Sequence, residues 1–245
     1  MPLKELKAVL FDMDGVLVDV SGSYRRAIEE TASYFTGRDI LPGAVQRYKN
    51  SGGYNDDWKL THAMIRDLGC SVTMRRVVDE FQRRYRGDDW NGLITQEPIL
   101  IDEKTLASLD REGYTMGIVT GRPLAEAEWT LSRMGTARYF PLIIAMEHQD
   151  GRGKPDPYPL QRALSMLAAA GRSIDPRETV YVGDSVDDMR AARSAGMWAL
   201  GIVPPGLDES VHTAILREAG AHSVTTSTSN IPRSVKRLSK KLVVA

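Results

Sequence analysis

Ala8-Val9-Leu10-Phe11 is apolar at every position, and the run stops on two carboxylates, Asp12 and Asp14, with Gly15 directly behind them. Unbroken apolar residues over a strand's length predict a strand buried on both faces, as in a parallel sheet covered by helices. Such sheets bind ligands where their strands end, and that is where both acids fall. Gly15 lets the chain turn sharply there, since glycine takes positive φ freely. Two adjacent acids repel when both are ionised, so a bound cation would keep one charged while proximity favours a proton on the other. That division suits a nucleophile beside a general acid/base. Taken alone, the same residues also describe a solvated turn, and the rest of the chain has to decide.

Residues 22–90 read as helices without a strand. Helices are predicted over 24–35, with Ser21 or Ser23 as its cap, over 41–48, over 57–68 behind Asp56 or Asp57, and over 73–86. Between the second and third lies a polar loop, 49–56, with Gly52 and Gly53 paired in it. From residue 92 onwards the rhythm changes to helices near 103–112, 123–134, 160–170, 186–195 and 207–218. These alternate with strands near 115–120, 141–145, 179–182, 198–203 and 224. Such alternation predicts right-handed βαβ units. The expected fold class is α/β, a Rossmann-like parallel sheet flanked by helices, with an all-helical domain inserted after the first strand. The core is expected over 1–20 and 92–245 and the insertion over 21–91. A terminal helix is expected over 236–245 on the core's edge.

The sequence has 245 residues, enough for one such core with an insertion. Thirty-two basic residues balance 32 acidic ones, which leaves no global field to attract nucleic acid or an anionic membrane. Cys70 is the only cysteine, which excludes an intrachain disulfide and any multi-cysteine zinc site. Residues 1–5 lead straight into the first strand without an apolar signal core, and no run is long enough to span a membrane. A soluble, cytoplasmic protein is therefore expected.

Three further strand ends carry polar residues. Thr120 ends the second strand and is followed by Gly121, Arg122 and a helix, so its hydroxyl and the backbone N–H groups behind it suit an anion. Lys154 sits between Gly151-Arg152-Gly153 and Pro155-Asp156-Pro157, a stiff turn that can present it as a point charge. Asp184 ends the apolar strand Thr179-Val180-Tyr181-Val182, and Asp188 follows one helical turn later. Asp187 and Asp188 are also what a helix dipole favours at its start. Hard carboxylate oxygens from Asp12 and Asp184 suit Mg²⁺.

Asp12-Met13-Asp14-Gly15, Thr120-Gly121, Gly153-Lys154-Pro155 and Gly183-Asp184-Ser185-x-x-Asp188, in this order, resemble the four motifs of the haloacid dehalogenase superfamily. The stretch Arg190-Ala191-Ala192-Arg193-Ser194-Ala195-Gly196-Met197 is similar to its phosphatase-type members with a helical cap. The resemblance implies that Asp12 attacks phosphorus to give an aspartyl-phosphate, and that Asp14 protonates the leaving oxygen and later deprotonates water. It implies that Thr120, Gly121 and Lys154 hold the phosphoryl oxygens. Mg²⁺ would be bound by Asp12, the Asp14 carbonyl and Asp184, with Asp188 in support. Family dehalogenases lack the second acid, and the transport ATPases carry threonine there, so Asp14 points to a phosphatase acting on a small phosphate ester. A phosphomutase using the same site is the alternative, and a catalytically silent binding protein is a third. Oligomeric state is left open.

Loop 49–55 resembles the specificity loop of capped relatives. Lys49, Asn50, Asn55 and Trp58 are the expected substrate contacts there, with Tyr24 and Arg25 from the first helix. Arg122 is expected to meet a second anionic group of the substrate. His62, His148, His212 and His222 lack metal-ligand spacing, and Cys70 reads as structural.

Overall fold

In a computed structural model the chain is described over residues 5–244. It divides into two compact units, one comprising Met1–Val18 and Ile99–Ala245, the other Asp19–Pro98.

The first unit is a six-stranded parallel sheet: β1 (Ala8–Phe11), β2 (Thr115–Val119), β3 (Ile143–Ile144), β4 (Thr179–Gly183), β5 (Trp198–Ile202) and β6 (Ser223–Thr225). The order is β3-β2-β1-β4-β5-β6, so β1 lies at the centre and the crossover reverses on either side of it. All four β1 residues are fully buried, as the unbroken apolar run requires. Phe11 pairs with Ile118 on one side and with Val182 on the other. The same register carried one step further sets Asp12 level with Val119 and Gly183. The tips of β2 and β4 therefore flank the first carboxylate. Helices α5 (Glu103–Arg111), α6 (Leu124–Met134), α7 (Tyr158–Ala169), α8 (Val186–Ser194), α9 (Glu209–Glu218) and α10 (Ile231–Val244) complete this unit. Leu10, Val119, Leu160, Tyr181, Met189 and Leu216 share one buried cluster, so helices cover the sheet as expected. The expected terminal helix is α10, which packs along β5, β6 and α5, with Ala245 outside the described residues. The expectation for residues 1–4 also lies outside them.

The second unit holds α1 (Tyr24–Thr36), α2 (Ala44–Ser51), α3 (Asp57–Asp67) and α4 (Met74–Tyr85). It contains no strand among the described residues. Asp56 caps α3, accepting from the backbone of Trp58 and Lys59. Three local expectations differ. Ser23 sits at the start of α1 but does not cap it, because its hydroxyl donates to Glu97 Oε1 at 2.7 Å. Tyr85 donates to the same oxygen at 3.0 Å, and Glu97 is 2% exposed. That buried knot, with the buried Leu93 and Ile94 before it, ties residues 92–98 to the helices, whereas the sequence reading returns to the core at residue 92. In addition, α2 runs on to Ser51, so Lys49 and Asn50 occupy a helix's last turn and not a loop.

Candidate active site

The turn after β1 is tight. Leu17 N–H donates to the Met13 carbonyl at 2.8 Å and Gly15 N–H to that of Val18 at 2.9 Å. Gly15 has φ +69, and a Cβ there would stand 2.1 Å from Asp184 Oδ2, so only glycine lets the two loops meet. Asp12, Asp184 and Asp188 each offer a carboxylate oxygen within 4.8 Å of the others.

Lys154 binds this cluster from below. Its ammonium lies 3.0 Å from Asp12 Oδ1 and 2.6 Å from Asp188 Oδ1, and donates to Tyr181 Oη at 2.8 Å. Tyr181 in turn donates to the Val119 carbonyl at 2.9 Å, which pins the lysine's position to β2 and β4 together. Asp188 is saturated. Its Oδ2 accepts from the backbone of Asp184 and Ser185 and from the Ser185 hydroxyl, and Asp188 N–H donates back to that hydroxyl, a capping box at the start of α8. A residue so fully engaged shapes the site.

Burial pushes the Asp12 carboxyl well above the usual range, with Asp188, Asp14 and Asp184 adding to the rise and Lys154 opposing it. For Asp188, burial acts in the same sense but loses to Lys154 and to the Ser185 hydrogen bonds, so its carboxyl is held below the usual range. Burial would lower Lys154, yet Asp12 and Asp188 outweigh it and the ammonium is held firmly protonated. Tyr181 is raised by burial and by the same two acids.

Thr120 ends β2 fully buried, with its N–H on the Ile144 carbonyl at 2.9 Å. Its hydroxyl accepts from Arg122 N–H at 3.2 Å, and its carbonyl accepts from the Gln149 amide at 2.6 Å. Gly121 joins these two residues. Arg122 does not stand open to a substrate anion. Its guanidinium is buried, with Nε 2.6 Å from Asp14 Oδ1 and Nη1 donating to Thr130 Oγ1 at 3.0 Å.

Asp12, Asp14, Asp184 and Asp188 make four acids against the two cations Lys154 and Arg122, a net charge of minus two when all are ionised. An excess of two negative charges on hard oxygens, with Asp12 and Asp188 buried and Asp14 and Asp184 half-buried, fits a divalent cation.

Three of the expected contacts of the helical unit have partners within it. Lys49 pairs with Asp57, Asn50 accepts from Gln46, and Tyr24 is buried with its ring 4.0 Å from that of Tyr85. Packing and ion pairing inside the unit account for these three. Arg25, Asn55 and Trp58 are half-buried. Among the histidines, His212 has a part the sequence did not suggest: buried on α9, its Nε2 lies 2.8 Å from the Asp184 carbonyl and fixes the loop that carries that acid. His148 accepts from Ala145 N–H, His62 bonds the Val72 carbonyl, and His222 accepts from Ala199 N–H on β5. Tyr181, Gln149 and His212 were all missed, since none carries a local signature.

Comparison with known proteins bears on the same residues. The chain is 35% identical over 206 residues to an imidazoleglycerol-phosphate dehydratase of Phytophthora nicotianae, spanning 82% of this chain but 44% of that protein. It is 31% identical over 202 residues to N-acetylmuramic acid 6-phosphate phosphatase of Pseudomonas aeruginosa, spanning 80% and 81% of the two chains. Its fold resembles that of a β-phosphoglucomutase from Clostridium difficile, with TM-score 0.75 and 18% identity over 98% of this chain and 100% of the other. Residues 6–196, which hold all four motifs, match the haloacid dehalogenase-like hydrolases, and the chain belongs to that family.

Proposed function

We propose that this protein is a Mg²⁺-dependent phosphatase that hydrolyses a small phosphate monoester through a phosphorylated Asp12. The observation that carries this reading is the Asp12–Lys154–Asp188 chain. It places a buried carboxylate beside a permanently charged ammonium, with Asp14 two residues away and held on its own counter-ion. Phosphoryl transfer asks mainly for positioning and neutralised charge, and this cluster provides both.

Asp12 Oδ attacks phosphorus, the P–O bond to the leaving group breaks, and Asp14 gives its proton to the departing oxygen. In the second half, Asp14 takes a proton from water as the water oxygen joins phosphorus, and Asp12 leaves as a carboxylate. The sum is ester and water to alcohol and phosphate, in two easier steps. Thr120 and Lys154 hold the phosphoryl oxygens. A cation held by Asp12, Asp184 and the Asp14 carbonyl, with Asp188 behind them, would neutralise phosphoryl charge and keep Asp12 ionised against the burial that favours its proton. The relative named N-acetylmuramic acid 6-phosphate phosphatase supports a small phosphorylated metabolite as substrate.

The test is phosphate release from a panel of sugar phosphates and short-chain phosphate esters, with MgCl₂ and with EDTA. Metal-dependent release that Asp12→Asn abolishes is expected. A folded, metal-loaded protein that releases phosphate from no ester, but interconverts sugar-phosphate isomers, would overturn hydrolysis in favour of a mutase.

A further inference from the structure

We propose that Arg122 is a positioning residue for Asp14: it holds the acid/base carboxylate in line with the leaving oxygen and does not bind substrate. The assignment rests on the phosphatase reading above.

Arg122 is the largest of the fully buried side chains among the described residues, at 2% exposure. A buried guanidinium must have its charge met and its N–H groups engaged. Here it is held at four points. Nε reaches Asp14 Oδ1 at 2.6 Å, and Nη1 donates to Thr130 Oγ1 at 3.0 Å on α6. Its backbone N–H donates to Thr120 Oγ1 at 3.2 Å, and its carbonyl accepts from Met146 N–H at 2.8 Å. Thr130 is itself fully buried, so the far end of the fork cannot drift. The guanidinium is planar and rigid, so anchoring one end fixes the direction of the other.

Asp14 needs such a hold. Its backbone is set by the 13–18 turn, but its side chain is 26% exposed and shares the site with three other carboxylates, which repel it. Without a counter-charge the carboxylate would swing away from them into solvent. Arg122 Nε engages Asp14 Oδ1 and so sets the direction in which the carboxyl faces. A guanidinium whose side chain is 1% exposed, already on Asp14 and Thr130, does not serve as a receptor for a substrate anion.

The role makes a prediction that a structural role does not. An alkyl phosphate expels an alkoxide, which needs Asp14's proton, whereas p-nitrophenyl phosphate expels a stable phenolate. Hydrolysis of the aspartyl-phosphate needs Asp14 as base with either ester. In Arg122→Met, turnover of the best alkyl phosphate should fall about 100-fold or more, the usual worth of acid–base catalysis. Release of the first equivalent of p-nitrophenol should fall no more than about fivefold and then give way to slow turnover, a burst that wild type lacks. Arg122→Lys should restore little, because one ammonium cannot span Asp14 and Thr130. Thr130→Val, which removes only the anchor, should shift both rates in the same direction by less.

Equal losses in alkyl phosphate turnover and in release of the first equivalent of p-nitrophenol, or no loss in either from a folded Arg122→Met protein, would overturn the assignment. If Arg122→Met does not fold, Thr130→Val decides by the same two rates. Wild-type protein inactive on both esters would instead overturn the phosphatase reading, and this assignment with it.

Discussion

The Lys154 ammonium stands 2.6 Å from the Asp188 carboxylate, and neither side chain reaches solvent. A buried pair of this kind is weak evidence for stability when compared with an apolar replacement of both partners, but it is costly to break from one side. Here breaking it also unseats Tyr181 and removes the positive charge beside Asp12.

Lys154→Met keeps most of the aliphatic stem and deletes the charge. We expect a loss of about 3–5 kcal/mol in unfolding free energy at neutral pH, because Asp188 is left buried without its cation. Turnover should fall at least about 100-fold through the missing positive charge. The pH dependence has a definite sign. Asp188 lies below its ordinary 3.8 in the folded protein, so its contribution is present above that value and is lost as pH falls through the lower folded one. The gap between wild type and variant should therefore close as the medium is taken below about pH 4. Denaturant titrations at several pH values measure it.

Asp12→Asn should separate function from stability in the opposite sense. The Asp12 carboxyl is raised, so its stabilising contribution is present below the unfolded value of 3.8 and is lost as pH rises through the folded one. At neutral pH, with EDTA present, the ionised form is a burden that asparagine does not carry. The variant should be inactive yet at least as stable as wild type in EDTA at pH 7, with its advantage disappearing towards acid pH. Thermal melts across pH, compared with phosphate release, check both halves. A variant markedly less stable than wild type at pH 7 would mean that Asp12 is held ionised by its neighbours alone.

The sheet and its strand-end acids were legible because they contradict their surroundings. An apolar run that stops on Asp12 and Asp14, and another that stops on Asp184, places charge where burial should exclude it, and a site resolves the contradiction. What was not legible is what depends on partners far along the chain. Arg122 reads like any arginine at a helix start, and only the fold brings Asp14, 108 residues away, under its Nε. Tyr181 looks like one more apolar strand residue until its hydroxyl is seen on Val119 and Lys154. Ser23 has the composition of a cap, but a buried carboxylate 74 residues away competes for its hydroxyl and wins. The 49–56 segment reads as a loop because its paired glycines mark a break; they do not show that α2 continues to Ser51 before it.

Glu97 tests that competition within the helical unit. Its carboxylate accepts from both Ser23 and Tyr85 in a region with almost no solvent. Glu97→Leu strips both hydroxyls of this acceptor, and each lost buried bond costs about 1–3 kcal/mol. Glu97→Gln keeps an acceptor oxygen and should cost only about 1 kcal/mol. Urea denaturation of the two variants gives the comparison. Equal losses would show that the carboxylate's charge, and not the hydroxyl bonds, ties residues 92–98 to the helices.

Gly15→Ala perturbs the proposed metal site without substituting a ligand. Its φ of +69 makes any Cβ costly, roughly 1–2 kcal/mol for the backbone alone. The new Cβ would lie 2.1 Å from Asp184 Oδ2, so the Asp184 carboxylate has to move. For wild type, MgCl₂ at about 100 times its dissociation constant should stabilise the fold by about 2.7 kcal/mol over EDTA. In a protein of this size that is roughly 5–10 °C in Tm. A tenfold weaker site in Gly15→Ala removes about 1.4 kcal/mol of that, so the shift at the same concentration should fall to about half. Asp184→Asn, which loses a charged ligand outright, should show less still. The Tm in EDTA reports the backbone strain separately from the metal shift. If Gly15→Ala melts lower in EDTA but keeps the full Mg²⁺ shift, Asp184 has moved at no cost to binding, and the cation is held by the other carboxylates.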